Sequence, residues 1–334
     1  MRILVVRVGA MGDVLHALPA VTALRERWPE CRIGWAIEPA WRSLIEGVVD
    51  RVHLVPTRRW KQRLFHPSTA SEIAALGREM RAERYDVCID LQGSIRSAFI
   101  GWMAGAGRFV GSAAPREWPA RWLYGERVPV RAAHVIDQGC ELLGGALDLE
   151  LAPARVKLGE NPVPGVEGER FCFLVPTAGW GAKQWPVERY RDLAASLRRQ
   201  GLRVLVNAAT ADDRVAREIA AGGAAEVFPC GLEELATVVA RAAVVIGGDT
   251  GPVHLAAALG VPVVALFGPT DPARTGPQGF PGSRVVVLRD ASSRVDHRRH
   301  PEAETGLARV PVEQVLEAVR SLGVMQGRNG WRME

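Results

Sequence analysis

Short apolar runs rich in β-branched residues alternate along the chain with longer amphipathic segments. The apolar runs predict strands at 2–8, 32–37, 51–55, 85–91 and 108–111, and again at 171–176, 202–207, 225–229, 242–248, 261–268 and 284–288. Amphipathic segments such as 13–27, 71–84 and 95–104 predict helices between the strands. Because alternating strands and helices are typical of parallel sheets covered on both faces, the pattern predicts an α/β protein.

The alternation lapses between about residues 148 and 170, where prolines, glycines and mixed charges predict an interdomain linker. We therefore predict two Rossmann-like, doubly wound domains over 1–155 and 170–324, followed by a tail over 325–334. An amphipathic helix after Pro311, over "VEQVLEAVRSLG", ends the second domain. Such sheets bind ligands at the carboxyl ends of their strands, so tandem domains predict a ligand site in a central cleft that both domains face.

Composition agrees with a soluble globular protein: the 334 residues are 48% hydrophobic and 24% charged. Arg7 interrupts the first apolar run, and no run approaches the ~18 residues of a membrane span, so we expect a cytoplasmic protein. The five cysteines occur singly, which predicts buried thiols rather than disulfides. The net charge of +5 is modest and does not predict a nucleic-acid partner.

The stretch "VVRVGAMGDVLHALPA", residues 5–20, begins as a buried strand, turns through Gly9 and Gly12, and continues as a helix. A phosphate site at such a helix start needs backbone N–H groups and no negative charge. Asp13 nevertheless occupies that place. The residues leave two interpretations open: Asp13 is a helix N-cap, or it is a carboxylate with a chemical role.

A second glycine-rich element, residues 244–272, reads "VVIGGDTGPVHLAAALGVPVVALFGPTDP". A strand ends at Gly247 and Gly248, and the capping residues Asp249 and Thr250 precede a helix. Backbone N–H groups and Thr250 at this helix start could bind a diphosphate, with His254 one turn inside. An ordinary capped helix is the alternative, but paired glycines, each costing ~0.5–1 kcal/mol in regular structure, favour a binding role.

Two further segments carry cations after predicted strands. Lys183, in "PTAGWGAKQWP", could neutralise a diphosphate leaving group in place of a metal, although a solvated lysine is an equally good interpretation. The run "TRRWKQR" holds Arg58, Arg59, Lys61 and Arg63, which predict an anion site that Arg116 is placed to join. A solvated basic loop is the alternative for this run.

The chain lacks the sequence signatures of several classes of enzyme. The seven histidines are dispersed, and no H-E-x-x-H or D-x-D pattern occurs, so we predict no metal site and no cofactor. The chain also lacks G-x-S-x-G, G-x-x-x-x-G-K-[ST] and G-x-G-x-x-G motifs. P-loop NTPases and NAD enzymes are therefore poor candidates.

Five segments, in order, resemble the lipopolysaccharide heptosyltransferases, family 9 of the glycosyltransferases: "MGDVLHALPA", "RRWK", "DLQGSIRSA", "KQWP" and "DTGPVHLAAALGVPVVALFGPTDP". The arginine–tryptophan–lysine run is more similar to the heptosyltransferase I group than to group II. The resemblance implies a GT-B fold, with the acceptor on the first domain and the nucleotide sugar on the second. It also implies that Asp13 is the catalytic base.

The resemblance assigns the remaining candidates as well. It implies a leaving-group role for Lys183 and donor binding by Asp249, Thr250, Gly251, His254 and Thr177. Family members carry a glutamate near the donor ribose, whereas this chain reads "NAATADDRVAREI", so Asp212 takes that role or the acid is lost. Arg58, Arg59, Lys61, Arg63 and Arg116 are expected to bind the acceptor.

The implied reaction is inverting transfer of heptose from ADP-L-glycero-D-manno-heptose to Kdo of Kdo-lipid A. Transfer onto the first heptose, a GT-B nucleotide-sugar epimerase and a non-catalytic sugar-nucleotide binding protein stay open as alternatives. The lipid-linked acceptor implies peripheral contact of a monomeric protein with the inner leaflet. Trp102, Trp118 and Trp122 are candidates for that contact, although buried packing explains each equally well.

Overall fold

The computed structural model describes residues 1–63, 66–159, 162–177, 183–295 and 305–325. The chain divides into two compact units, Met1–Gly159 and Glu160–Glu334, whose boundary falls inside the predicted linker. Of the predicted tail, residues 326–334 lie outside the described residues. Within the described residues, no helix is long and apolar enough to cross a membrane.

Strands and helices alternate in both units. The strands are β1 (Arg2–Val6), β2 (Arg32–Ile37), β3 (Arg51–Leu54), β4 (Val87–Asp90), β5 (Arg108–Ser112), β6 (Glu126–Val128), β7 (Phe171–Val175), β8 (Arg203–Ala208), β9 (Glu226–Pro229), β10 (Val244–Gly248), β11 (Val263–Phe267) and β12 (Val285–Arg289). The helices are α1 (Met11–Arg27), α2 (Thr57–Gln62), α3 (Pro67–Ala82), α4 (Ile95–Met103), α5 (Val135–Leu147), α6 (Val187–Arg199), α7 (Arg214–Ala220), α8 (Leu232–Arg241), α9 (Gly251–Leu259), α10 (Pro272–Thr275), α11 (Thr305–Arg309) and α12 (Val312–Ser321). Two 3₁₀ helices span Pro39–Leu44 and Trp118–Trp122.

Each unit contains one parallel sheet. The strand orders are β3-β2-β1-β4-β5-β6 and β12-β11-β10-β7-β8-β9. Counted from its own first strand, each sheet has the Rossmann order 3-2-1-4-5-6. Successive strands are added toward one edge up to the third strand and toward the other edge from the fourth strand onward. The central strands "RILVV" and "FCFLV" are almost wholly buried because helices cover both faces, as expected for parallel sheets. The predicted α/β class with two Rossmann-like domains is confirmed.

Three elements of the first unit differ from the prediction or were not predicted. Residues 57–62 form helix α2 rather than a loop. Strand β6 is three residues long and mostly exposed, so it has no apolar pattern that would predict it. Helix α5, which was not predicted, packs against α1. A Cβ added at its Gly139 would lie only 3.3 Å from the Cβ of Ala20. Glycine therefore allows the two helices to approach closely, although it lowers the helix propensity of α5.

Candidate active site

Asp13 lies in the first turn of α1, immediately after the turn that follows β1. Ala10, not Asp13, occupies the N-cap position, so the interpretation of Asp13 as the helix N-cap is wrong. Its side chain is 30% exposed, and its two oxygens face different guanidinium groups: Oδ1 lies 3.1 Å from Arg7 Nη2 and Oδ2 lies 3.9 Å from Arg116 Nη1. Asp13 is therefore an accessible carboxylate held between two cations.

Gly9 allows this turn to pack against an aromatic side chain. Its φ of +154° lies in a region that favours glycine, and an added Cβ would come within 2.9 Å of Trp41 Nε1. The guanidinium of Arg58 lies over the ring of the same tryptophan, 5.3 Å from its centroid. Trp41 thus connects the turn that carries Asp13 with the basic helix α2.

Asp90, in the family-like segment "DLQGSIRSA", ends β4 and is buried. Its carboxylate accepts four hydrogen bonds, from Gln92 N (2.9 Å), Gly93 N (3.2 Å), Ser97 Oγ (2.9 Å) and Tyr124 Oη (2.8 Å). Burial raises the pKa of Asp90, and these hydrogen bonds only partly offset the effect. Because two of the four donors are backbone N–H groups of the loop after β4, Asp90 holds that loop in place.

That loop positions both arginines that face Asp13. The Arg7 guanidinium donates a hydrogen bond to the carbonyl of Leu91. Gly93 has a φ of +68°, and an added Cβ would lie 2.9 Å from the backbone nitrogen of Arg116, so glycine permits this close approach. The N–H of Glu117 donates to the Gly93 carbonyl at 2.9 Å. Arg7 and Arg116 are thereby fixed to one backbone segment.

The basic run lies on α2, with Trp60 as its anchor. Trp60 is 8% exposed, and its indole N–H donates to Glu72 Oε2 at 2.8 Å. Arg59 pairs with the same carboxylate at 2.7 Å. All four cations of this run are exposed: Arg58, Arg59, Lys61 and Arg63. Burial of Trp60 thus turns the cationic side of α2 toward solvent.

In the second unit, Asp249 follows β10 and collects three donors. Its side chain is 8% exposed and accepts from His254 Nε2 (2.8 Å), from Thr270 Oγ1 (2.8 Å) and from the ammonium of Lys183. Burial alone would raise the pKa of Asp249, but His254 and Lys183 outweigh it and hold that pKa well below its usual range. Three predicted site residues, Lys183, Asp249 and His254, therefore form one cluster.

The paired glycines before Asp249 have a packing role. An added Cβ at Gly248 would overlap the carbonyl oxygen of Lys183, and one at Gly247 would lie 2.6 Å from the carbonyl oxygen of Val175. Because glycine has no side chain, the segment that carries Lys183 can lie directly on the end of β10. The two glycines thus bring the Lys183 ammonium to Asp249.

Helix α9 begins at Gly251, with Thr250 at its N-cap position. The Thr250 hydroxyl is buried and has no hydrogen-bond partner among the described residues. An unsatisfied buried hydroxyl costs about 1–3 kcal/mol, so such a group needs a partner such as a water molecule, an ion or a ligand. Together with the backbone N–H of Gly251 at the helix start, Thr250 forms a candidate anion site.

The other two donor-side candidates lie outside this cluster. Thr177 follows β7 and is half-buried, next to residues 178–182, which fall outside the described residues. Asp212 lies between β8 and α7; its side chain is 91% exposed and pairs with Arg217 at 3.3 Å. The structure therefore brings Asp212 into contact with α7 and not with Asp249.

The sequence analysis missed one partner of each central carboxylate: Arg7, which faces Asp13, and Thr270, which donates to Asp249. Arg7 interrupts an apolar strand, which is the only local sign that it faces Asp13. Thr270 lies in the quoted "GPTDP" segment, but its bond to Asp249 spans 21 residues. Within the described residues, no cluster of three or more His, Cys, Asp or Glu side chains has the arrangement of a metal site.

The chain is similar to known enzymes over most of its length. Residues 73–302 match the family described as Glycosyltransferase family 9 (heptosyltransferase). Lipopolysaccharide heptosyltransferase 1 of Escherichia coli (strain K12) is 33% identical over 298 residues, covering 84% of this chain and 91% of that protein. The Pseudomonas aeruginosa protein of that name is 31% identical and covers 84% and 82%. The structure titled "E. coli heptosyltransferase WaaC with ADP" superimposes with a TM-score of 0.82 at 28% identity, covering 96% of this chain and 100% of that one.

The paired Rossmann-order sheets and this structural similarity define the protein as a glycosyltransferase of the GT-B fold. It belongs to glycosyltransferase family 9, the heptosyltransferase family. The resemblance inferred from the five sequence segments is confirmed.

Proposed function

We propose that the protein is an inverting heptosyltransferase that transfers heptose from ADP-L-glycero-D-manno-heptose to Kdo of Kdo-lipid A in the lipopolysaccharide inner core. The relatives named lipopolysaccharide heptosyltransferase 1, at 31–33% identity, support the reaction class. The observation that carries the mechanism is the accessible Asp13 carboxylate, held by Arg7 and Arg116. A general base must be reachable by the acceptor hydroxyl, and this carboxylate is 30% exposed.

In the proposed step, Asp13 accepts the proton of the acceptor hydroxyl while the hydroxyl oxygen attacks C1 of the heptose. The bond between C1 and the diphosphate oxygen breaks on the opposite face, so the anomeric configuration inverts and ADP leaves with the bonding electrons. Inverting glycosidases apply the same in-line arrangement to water. Asp13 supplies the base, and the second domain supplies the leaving-group stabilisation.

Lys183 and the start of α9 are proposed to bind the departing diphosphate. Negative charge grows on ADP as the bond breaks, and donors already fixed in place stabilise it without reorganisation. Asp249 fixes the position of the Lys183 ammonium, while the Thr250 hydroxyl and the backbone N–H of Gly251 donate to the phosphates. His254 holds the other oxygen of Asp249. Thr177 and Asp212 are proposed to contact the rest of the donor.

The cations of α2 and Arg116 are proposed to bind the carboxylates and phosphates of the acceptor. Guanidinium groups suit this role because they bind carboxylate and phosphate through two parallel hydrogen bonds. The acceptor is lipid-linked, so we propose that the protein acts as a monomer in peripheral contact with the cytoplasmic face of the inner membrane.

The direct test incubates the purified protein with ADP-heptose and either Kdo-lipid A or an acceptor that already carries the first heptose. We expect ADP release and a mass gain of one heptosyl residue only with Kdo-lipid A. Transfer only to the heptosylated acceptor would assign the second transfer instead. Conversion of the donor without acceptor would assign an epimerase. A thermal-shift comparison of ADP, UDP and GDP tests the nucleotide, since the preferred one stabilises the fold most.

A further inference from the structure

Five large apolar side chains lie exposed on two neighbouring segments of the first unit. The exposed fractions are 49% for Ile95, 42% for Phe99, 57% for Trp102, 57% for Trp118 and 75% for Trp122. Ile95, Phe99 and Trp102 follow helical spacing, so they share one side of α4. We refer to these five residues as the aromatic face. Exposed apolar patches of this kind usually mark an interaction surface.

The aromatic face is held rigidly by buried contacts beneath it. Ala98 of α4, Ala120 of the second 3₁₀ helix and Tyr124 form one small core. The N–H of Ile95 also donates to Glu117 Oε2 at 2.9 Å, which ties the start of α4 to the segment before that 3₁₀ helix. Because its backbone is fixed in this way, the face can insert into a partner without paying much ordering entropy.

Cations accompany the aromatic rings. The Arg121 guanidinium stacks on Trp118, 3.9 Å from the ring centroid, and Arg96 lies exposed between Ile95 and Phe99 in sequence. Indole rings favour the boundary between water and hydrocarbon, where the ring is buried and the N–H stays hydrated. Arginines beside them are attracted to anionic headgroups, each by roughly 1 kcal/mol. Rings and charges together fit the surface of an anionic bilayer.

From this surface we infer that the aromatic face docks the protein on anionic lipid bilayers. The inference rests on the proposed function in one respect, because a lipid-linked acceptor gives the docking its purpose. Arg116 immediately precedes Glu117 and the second 3₁₀ helix, and it lies 3.9 Å from Asp13. Docking through this face therefore brings the acceptor-binding cation, and with it the proposed base, close to the headgroup sugars of a lipid that stays in the membrane.

The test uses the triple variant Phe99→Ser/Trp102→Ser/Trp122→Ser, none of whose residues belongs to the proposed active site. Val295→Ser is the matched control, since Val295 is 64% exposed on the second unit. Both proteins should melt near the wild-type temperature, because exposed side chains contribute little to stability. Cosedimentation is measured with vesicles of phosphatidylcholine, with and without phosphatidylglycerol.

We expect the wild type and the control to bind the phosphatidylglycerol vesicles, and the triple variant to bind them at least about tenfold more weakly. Transfer to a deacylated acceptor in solution should be unchanged in the triple variant, whereas transfer to acceptor embedded in those vesicles should fall. Vesicle binding by the triple variant equal to wild type would overturn the inference. So would a wild-type dimer that the triple variant dissociates, because a second copy would then cover the face.

Failure of the proposed function has a different signature. If the wild type binds vesicles through the aromatic face but transfers no heptose to either acceptor, the surface assignment stands and the reaction assignment falls. If it transfers heptose to the deacylated acceptor but shows no vesicle binding, the reaction assignment stands and the surface assignment falls.

Discussion

The two domains have the same strand order, and each places a buried aspartate where its fourth strand ends, yet the two aspartates differ in pKa. In the first domain, Asp90 accepts hydrogen bonds from uncharged donors alone, and burial raises its pKa. Asp249 meets Lys183 and His254, which hold its pKa well below the usual range. Topology thus places the carboxylate, and the neighbouring side chains decide its charge.

The loop after the first strand carries a different functional group in each domain. In the first domain that loop leads to Asp13, and in the second it leads to Lys183. The proposed chemistry therefore comes from the first-strand loops, while the fourth-strand aspartates support them. Asp90 clamps the loop that holds Arg7 and Arg116, and Asp249 binds Lys183 directly. One fold thus carries the proposed base in one copy and the proposed leaving-group cation in the other.

The largest expected effect distinguishes a catalytic role of Asp13 from a purely structural one. Asp13→Asn keeps the shape of the side chain but removes the proton acceptor, so kcat should fall by about 10²–10⁴. Melting temperature and ADP affinity should stay near wild type, since the second domain is untouched. Calorimetric ADP titration and thermal denaturation are the controls. Activity within about threefold of wild type would contradict a general-base role.

The second prediction compares the two buried aspartates. Asp249→Asn leaves the Lys183 ammonium without its carboxylate, which should cost about 3–5 kcal/mol in the free energy of unfolding. Asp90→Asn disturbs hydrogen bonds from uncharged donors and leaves no charged partner behind, so it should cost only about 1–2 kcal/mol. Urea denaturation of both variants measures the difference. Equal losses would mean that the charge of Lys183 does not matter to Asp249.

The pH dependence of these losses should have opposite signs. The lowered pKa of Asp249 stabilises the fold above the unfolded value of about 3.9, and this contribution is lost as pH falls below it. The raised pKa of Asp90 destabilises the fold at high pH, and that penalty disappears as pH falls toward the same value. As pH falls from 7 into the acid range, the stability advantage of the wild type over Asp249→Asn should therefore shrink. Over the same range, the stability of the wild type relative to Asp90→Asn should rise.

The third prediction concerns the glycines of the two turns. In Gly248→Ala the new methyl group meets the Lys183 carbonyl, so we expect a loss of about 1–3 kcal/mol in stability and weaker ADP binding. Gly12→Ala is the matched control, because an added Cβ there has no neighbour within 4 Å. Because Gly12 lies in the first turn of α1, its replacement should leave stability unchanged or raise it by up to about 1 kcal/mol. A Gly248→Ala protein that melts and binds ADP like wild type would show that the close approach is dispensable.

A smaller effect is expected from the basic helix. Arg58→Ala/Arg59→Ala should lower kcat/KM for the acceptor by about tenfold and leave ADP affinity unchanged, since the two arginines lie on the first domain. Arg78→Ala, at another exposed arginine of that domain, should behave like wild type. If the double variant lost ADP affinity and used acceptor normally, the proposed donor and acceptor domains would be exchanged.

Removal of metal ions is expected to have no effect on turnover. Because Lys183 supplies the proposed positive charge for the departing diphosphate, turnover in excess EDTA should equal the untreated rate. A loss of turnover that added magnesium restores would assign that charge to a metal ion instead.

Local pattern was enough to predict most of the secondary structure. Eleven strands were predicted from apolar runs and all lie close to their predicted positions, because a buried parallel strand must be continuously apolar. The short exposed β6 and the helix α2, whose six residues were interpreted as a basic loop, were not predicted. Neither element is long enough for its periodicity to be recognised.

The sequence by itself determined the fold class, the family and the segments on which the candidate site lies. Only the tertiary structure decided what the carboxylates contact: Arg7 with Asp13, four uncharged donors with Asp90, and Lys183 with Asp249 across 66 residues. It also decided that Trp102, Trp118 and Trp122 are exposed and that Asp212 pairs with Arg217. Periodicity reports which side of a strand or helix is buried, whereas the charge of an aspartate depends on neighbours that only folding brings within a few ångströms.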